Sequence, residues 1–156
     1  MKNVFYVETK LGKIKIVENG TAITHMYFGS NEPEEIQGLE TPLLAEAAKQ
    51  LNEYLSGKRK NFDLPLAPEG TAFQKAVWNA LQKIPYGETC SYGEVAKNIE
   101  RPKASRAVGM ANNRNPIPIF IPCHRVIGAN GKLVGYAGGL DVKERLLKLE
   151  KNHING

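Results

Sequence analysis

Cysteine and histidine stand side by side in "PIPIFIPCHRVI", residues 116–127, at the end of an apolar run broken by prolines. The chain has only two cysteines, Cys90 and Cys123, and three histidines. A thiol becomes a nucleophile when its thiolate is favoured, and a nearby cation, helix N-terminus or histidine lowers its ordinary pKa of about 8.5. His124 is adjacent to Cys123, yet neighbours on an extended strand point to opposite faces. A bend in the chain or a bridging water is needed to connect them. A carboxylate on the far ring nitrogen would then orient the imidazole, and Glu144 and Glu150 in the C-terminal stretch are candidates. The same residues also have a structural reading, with Cys123 in the core and His124 satisfied within a hairpin. Both readings stay open on the residues alone. Cys90, in "YGETCSYGE", reads as a small buried apolar residue.

The segment from Asn115 to Pro122 holds three prolines in eight residues. Each fixes φ and removes a backbone donor, and each restrains the preceding residue toward extended geometry. Such a segment suits a chain held rigidly beside something, with Cys123 at its end.

The elements that must position these groups fall into two parts. "VFYVET", "GKIKIVE" and "AITHMYF", within residues 4–28, are rich in β-branched and aromatic residues and read as strands, with Asn19-Gly20 as a hairpin turn. Thr41-Pro42 reads as a helix cap and first helical residue, and "LLAEAAKQLNEYLSG" as a helix stopping at Gly57. Lys58-Arg59-Lys60 is then a solvated exit. Two prolines and a glycine in "NFDLPLAPEG" mark a domain boundary, giving a strand-rich domain over residues 1–66 and a second domain over residues 67–156.

The second part is more helical. Thr71 to Gln74 and Ser91 to Glu94 are capping-box patterns that open helices. Arg101-Pro102 breaks the second of these, and "KASRAVGMANN" reads as a further short helix with Lys103, Arg106 and Arg114 on or beside it. The pair matches a helix-turn-helix. Asn130-Gly131 predicts a small hairpin between "HRVIG" and "KLVGY", and Asp141 is a possible cap of the last helix, "DVKERLLKLEK". The fold class is therefore mixed α/β of the α+β type, with a small N-terminal antiparallel-sheet domain and a mostly helical C-terminal domain.

Composition narrows the function. The 156 residues are 42% hydrophobic, enough for a core, and the net charge of +5 is a bias toward anionic partners such as nucleic acid. No signal peptide and no stretch of ~18–20 apolar residues is read, so the expectation is a cytoplasmic protein with no membrane partner. The cysteines and histidines have no zinc spacing, and no cofactor is expected.

"NPIPIFIPCHRVIGANGKLVGYAGG" closely resembles the active-site region of the methylated-DNA–protein-cysteine methyltransferases, the O6-alkylguanine-DNA alkyltransferases. The likeness runs from "FQKAVWNALQKIPYGETCSYGEVA" through "SRAVGMANNRNP" to "KERLLKLE". The first half fits the family's N-terminal domain in general shape only, and has no cysteine for the zinc site some members carry. The resemblance implies single-use transfer of a methyl or larger alkyl group from O6-methylguanine, and O4-methylthymine, in double-stranded DNA to the protein's own cysteine, by a monomer. It makes Cys123 the acceptor, His124 the base acting through a water, and Glu150 rather than Glu144 the orienting carboxylate. It makes Asn115 the residue that holds the active-site segment and Tyr92 the donor to the departing guanine. Arg106 becomes a finger entering the duplex, with Lys103, Ala104, Ser105 and Arg114 beside it on the DNA. Val134, Tyr136, Ala137 and Gly138, with Tyr92, form the alkylguanine pocket. Two departures stand out: Ala137 occupies a position where serine is common, and Asn113 one where glycine is common. The alternative is a protein that binds alkylated DNA or regulates without chemistry. Relatives of that kind replace the acceptor cysteine, which is present here. A Cys-His-Glu hydrolase would need an oxyanion site and repeated turnover.

Overall fold

The β-branched runs at the start of the chain form an antiparallel meander, β1 (Asn3–Thr9), β2 (Gly12–Glu18) and β3 (Ile23–Phe28), in the order β1-β2-β3. The register runs from Asn3 opposite Glu18 to Thr9 opposite Gly12, and a bulge at Val17/Glu18 shifts the β2–β3 pairing. The Asn19-Gly20 signal is realised as a four-residue connection. Asn19 Oδ1 accepts from the backbone of Thr21 and Ala22, and Gly20 takes φ 100°. The structure is a computed structural model that describes residues 2–29, 39–133, 135–136 and 138–155.

Helix α1 (Pro42–Leu55) starts as its sequence predicts, with Thr41 Oγ1 accepting from Leu44 N and proline at the first helical position. It lays Leu44, Ala47, Leu51 and Tyr54 into the core of this unit, where Ile14, Ile16 and Ile23 of the sheet are also buried. The proline-rich stretch after α1 returns to the sheet. Ile23 N donates to Pro65 O and Ala67 N to Ile23 O, so Leu66 bridges β3. Arg59 of the basic triplet is half-buried and paired with Glu53 at 2.9 Å.

Contacts divide the chain into two compact units, Met1–Pro68 and Glu69–Gly156. In the second, α2 (Ala72–Leu81) and α3 (Tyr92–Asn98) both open on complete capping boxes, Thr71 with Gln74 and Ser91 with Glu94. Helix α4 (Ser105–Asn113) completes the helix-turn-helix, and Glu100 in the turn takes φ 62°. Helix α5 (Leu140–His153) closes the unit. The core gathers Trp78 and Leu81 of α2, Val95 of α3, Val108 of α4, Ile117, Ile119 and Ile121, and Leu146 of α5. The single tryptophan donates its Nε1–H to Ala111 O at 2.9 Å, tying α2 to α4. Among the described residues no helix is long and apolar enough to cross a membrane.

Four local expectations change. The Asn130-Gly131 turn exists, with Gly128 N donating to Lys132 O, but no described strand follows it. Val126–Ile127 instead form β5 and pair in parallel with β4 (Cys90–Ser91), because His124 and Arg125 are wound into a 3₁₀ turn, Cys123–Arg125, and leave only two extended residues. Asp141 does not cap α5. Gly139, at φ 95°, stands at the cap, and Asp141 lies in the first turn, where its charge favours the helix dipole. Cys90 lies at half-buried β4 rather than in the core. The proline segment is a tight turn rather than an extended run: Ile121 N reaches Ile117 O at 2.9 Å and Ile119 sits at φ 73°.

A β-branched residue at positive φ costs about 1–3 kcal/mol and persists only where the surroundings over-determine it. Here the burial of Ile117, Ile119 and Ile121 does so.

Trp78→Phe removes a buried hydrogen bond and part of a fully packed ring. It should cost roughly 1.5–3 kcal/mol. Urea unfolding followed by circular dichroism should show a lower midpoint at an unchanged slope. An unmoved midpoint would show that the α2–α4 tie contributes nothing.

Candidate active site

The proline turn delivers Cys123 to the start of the 3₁₀ turn, and one side chain locks that delivery. Asn115 donates from Nδ2 to Ile121 O at 2.8 Å and accepts at Oδ1 from Ile117 N at 2.9 Å, spanning the turn from within. The same amide favours the Cys123 thiolate, opposing the effect of its burial. Asn112, one turn back on α4 and 2% exposed, directs Nδ2 toward Cys123 O at 3.5 Å.

The bend that the sequence left open is the 3₁₀ turn itself. It turns His124 and Arg125 inward, both onto one carboxylate of α5. His124 donates from Nε2 to Glu150 Oε2 at 2.7 Å. Arg125 grips both oxygens, Nε on Oε1 and Nη2 on Oε2, each at 2.9 Å, and its Nη1 donates to Ile84 O at 2.7 Å. Gly87 N adds a donor to Oε1 at 3.1 Å. Only glycine fits at that donor, since φ is 82° and a Cβ would meet Ile154 Cδ1 at 2.6 Å. Glu144 points elsewhere, to an exposed pair with Lys148.

These environments set the protonation states. Burial pushes the Cys123 thiol up to about 11, against the opposing pull of Asn115 and the Lys143 charge. Burial also lowers His124 and outweighs its bond to Glu150, so the ring is neutral at pH 7. Burial alone would raise Glu150, but the hydrogen bonds and charges of His124 and Arg125 hold it at about 2. With Glu150 anionic, the proton of the neutral ring sits on Nε2, and Nδ1 carries the lone pair.

Two of the residues expected in the pocket, Tyr92 and Tyr136, lie near the Cys123–His124 pair. Burial, then the charge of Cys123, raises the hydroxyl pKa of half-buried Tyr92 at the start of α3. Tyr136 meets the His124 ring edge-on at 6.5 Å, and its carbonyl accepts from Gly139 N, closing a turn over Gly138. Val134 and Ala137 lie outside the described residues. Asn113 is the last residue of α4. Its amide packs against Gly135, where a Cβ would meet Asn113 Oδ1 at 2.9 Å. Lys103, Ala104, Ser105, Arg106 and Arg114 form a separate strip along α4 and its leading turn, with Lys103, Arg106 and Arg114 exposed. Among the described residues no three histidine, cysteine or acidic side chains gather as a metal site.

Three residues of this centre carried no role in the sequence reading: Asn112, Arg125 and Lys143. Lys143 is fully buried, its ammonium donating to Val126 O at 2.7 Å and toward Gly135 O at 3.5 Å. It falls on one helical line with Leu146 and Glu150, at i, i+3 and i+7. That spacing, with Glu150 turned inward, was the signal that places it inside.

Family models match both units. Residues 4–68 fit the "6-O-methylguanine DNA methyltransferase, ribonuclease-like domain" and residues 72–152 the "6-O-methylguanine DNA methyltransferase, DNA binding domain". The chain belongs to the 6-O-methylguanine DNA methyltransferase family. It is 53% identical to a methylated-DNA–protein-cysteine methyltransferase of Methanosarcina barkeri, over 95% of this chain and 96% of that one. It is 49% identical to the constitutive enzyme of Bacillus subtilis, over 92% of each. Its fold superposes on Mycobacterium tuberculosis OGT in complex with DNA with a TM-score of 0.86 at 44% identity, covering 95% of this chain and 92% of that one. Family membership extends over both units, including the first half, where the sequence resemblance was general only.

The Glu150 centre makes the fold of this family member acid-sensitive. Its folded carboxyl titrates near 2, against 4.5 for a free side chain, so between those values the unfolded chain binds a proton that the folded chain does not. Stability is present above about 4.5 and is lost as pH falls through that window. His124, lowered by burial, adds a loss in the same direction below its ordinary 6.5. Glu150→Gln strands Arg125 without its counter-charge and should cost roughly 3–5 kcal/mol at pH 7. Urea midpoints between pH 6 and 3 should fall less steeply in Glu150→Gln than in wild type, while Glu144→Gln keeps the wild-type profile. Equal slopes for wild type and Glu150→Gln would refute the assignment.

Proposed function

We propose that the protein repairs alkylated DNA as a cytoplasmic monomer, each molecule taking one alkyl group from O6-alkylguanine, or from O4-alkylthymine, onto Cys123. The observation that carries this reading is the placement of Cys123 at the end of the Asn115-locked turn, beside a histidine already polarised by a buried carboxylate. In this reading residues 67–156 hold the DNA contacts and the chemistry, and residues 1–66 serve as the strand-rich accessory domain.

The buried thiol is a poor nucleophile at rest. With a pKa of about 11 its thiolate fraction at pH 7 is on the order of 10⁻⁴. Deprotonation therefore belongs to the bound complex. His124 Nδ1 takes the Cys123 proton through a water, and Glu150 stabilises the imidazolium that forms. Lys143, close enough to couple electrically to Cys123, offsets the thiolate charge. The sulfur attacks the methyl carbon in line, the S–C bond forms, and the C–O6 bond breaks with its electron pair leaving on guanine. Tyr92 donates toward the purine as that charge grows. The thiol proton ends on guanine, so a thiol and an O6-methylguanine become a thioether and a guanine. The thioether has no leaving group that restores the thiol, which makes the event single-use. The base must leave the stack for this chemistry, and Arg106 on α4 fills the space it vacates.

Incubation with O6-methylguanine duplex should add one methyl mass, mapped to Cys123, and Cys123→Ala should bind lesion DNA without transfer. Many turnovers per molecule, or a label on Cys90, would sink the mechanism. His124→Ala should slow single-turnover transfer by roughly 10²–10⁴-fold with little change in DNA affinity.

Arg106 generates a second test. Extrusion costs a few kcal/mol in a paired duplex and least when the base is unpaired. Arg106→Ala should therefore slow repair strongly in duplex DNA and mildly in single-stranded DNA. An equal loss on both substrates would reduce Arg106 to an ordinary phosphate contact.

A further inference from the structure

Helix α4 carries one large apolar side chain that the core does not take up. Met110 is 61% exposed, whereas Val108, Ala111 and Asn112 of the same helix are buried. It stands one turn beyond Arg106, at i+4, on the same stripe. Large apolar side chains left in water within a charged strip mark contact surfaces when apolar neighbours extend them. Here they do. A groove of about 260 Å³ lies beside Met110, between α4 and the first turn of α2, lined by Phe73, Ala107 and Ala111 with Gln74 and Arg114.

The cationic residues around this groove suit phosphates, but a thioether does not. The part of a nucleic-acid strand that matches an apolar wall flanked by arginines is the deoxyribose surface between phosphates. Methionine is suited to that surface because it is unbranched, polarisable and adapts to irregular shape. We propose that Met110 and the adjoining groove form an apolar contact for the deoxyribose wall of the bound DNA strand, continuous with the Arg106 strip. This rests on the reading that α4 docks on DNA. The contact is blind to base sequence. It also adds a share of affinity that salt does not remove, because burying apolar surface releases no counterions.

Two measurements on the full-length protein with unmodified duplex test it. In dilute peroxide, Met110 should form sulfoxide readily in the free protein and be protected by saturating duplex, with buried Met26 as the internal reference. Met110→Ala should weaken duplex binding by about 3–10-fold at an unchanged salt slope, from the loss of a partly buried side chain, and Met110→Leu should restore most of it. Lys103→Ala should instead lower the slope by about 0.9, the value for one phosphate. If Lys103→Ala lowers the slope while Met110 oxidises at the same rate with and without DNA, the apolar contact is overturned and the docking of α4 stands. If neither responds although the protein binds duplex, the docking of α4 is itself overturned. Protection of Met110 supports the contact whatever Lys103 does.

Discussion

The ionised carboxylate of Glu150 organises the catalytic half of the molecule. It is 1% exposed and receives donors from His124, Arg125 and the backbone of Gly87. A charge at that depth is tolerable only when paired and fully hydrogen-bonded. The requirement propagates outward. It holds the 3₁₀ turn that aims His124, it fixes Arg125 against Ile84 O and over the Tyr86 ring at 5.7 Å, and it brings the end of α5 onto the loop at Gly87. One carboxylate thereby sets the tautomer of a histidine and the path of three chain segments.

Cys123 is treated in the opposite way. Glu150 is stabilised as an anion, whereas Cys123 is buried so that its anion is disfavoured, with Asn115 and Lys143 giving only partial relief. This contrast suits a protein whose reaction consumes it. A thiol that stays protonated until a base and a proton acceptor are both in place is protected from stray oxidants and electrophiles, which attack thiolates. Beside it stand the neutral His124, already oriented by Glu150, and the Lys143 ammonium held on two backbone carbonyls.

The strained turn before Cys123 and helix α4 are joined through the same few residues. Helix α4 ends at Asn113, and Asn115 follows within two residues to clamp Ile117 and Ile121. Asn112 reaches the Cys123 carbonyl from the last turn of α4, and Asn113 packs on Gly135 beside the pocket. The end of α4 and Cys123 thus share a short stretch of backbone.

What was legible in the sequence is what local rules govern. Alternating β-branched residues gave β1 to β3, and Thr41, Thr71 and Ser91 fixed three helix starts, because a capping side chain bonds a backbone donor two or three residues away. The Pro-Cys-His-Arg run with its flanks identified the family, and the resemblance selected Glu150 over Glu144. Tertiary structure decided the rest. Whether Val126–Ile127 would pair with the following segment or with Cys90–Ser91 depended on a ladder between residues 36 positions apart. The depth of Lys143, the grip of Arg125 on Glu150 across 25 residues and the left-handed Ile119 have the same origin. Burial is a property of the assembled core. A lysine or arginine that reads as a solvated charge in the chain becomes structural only when a carboxylate or carbonyl from a distant segment is packed against it.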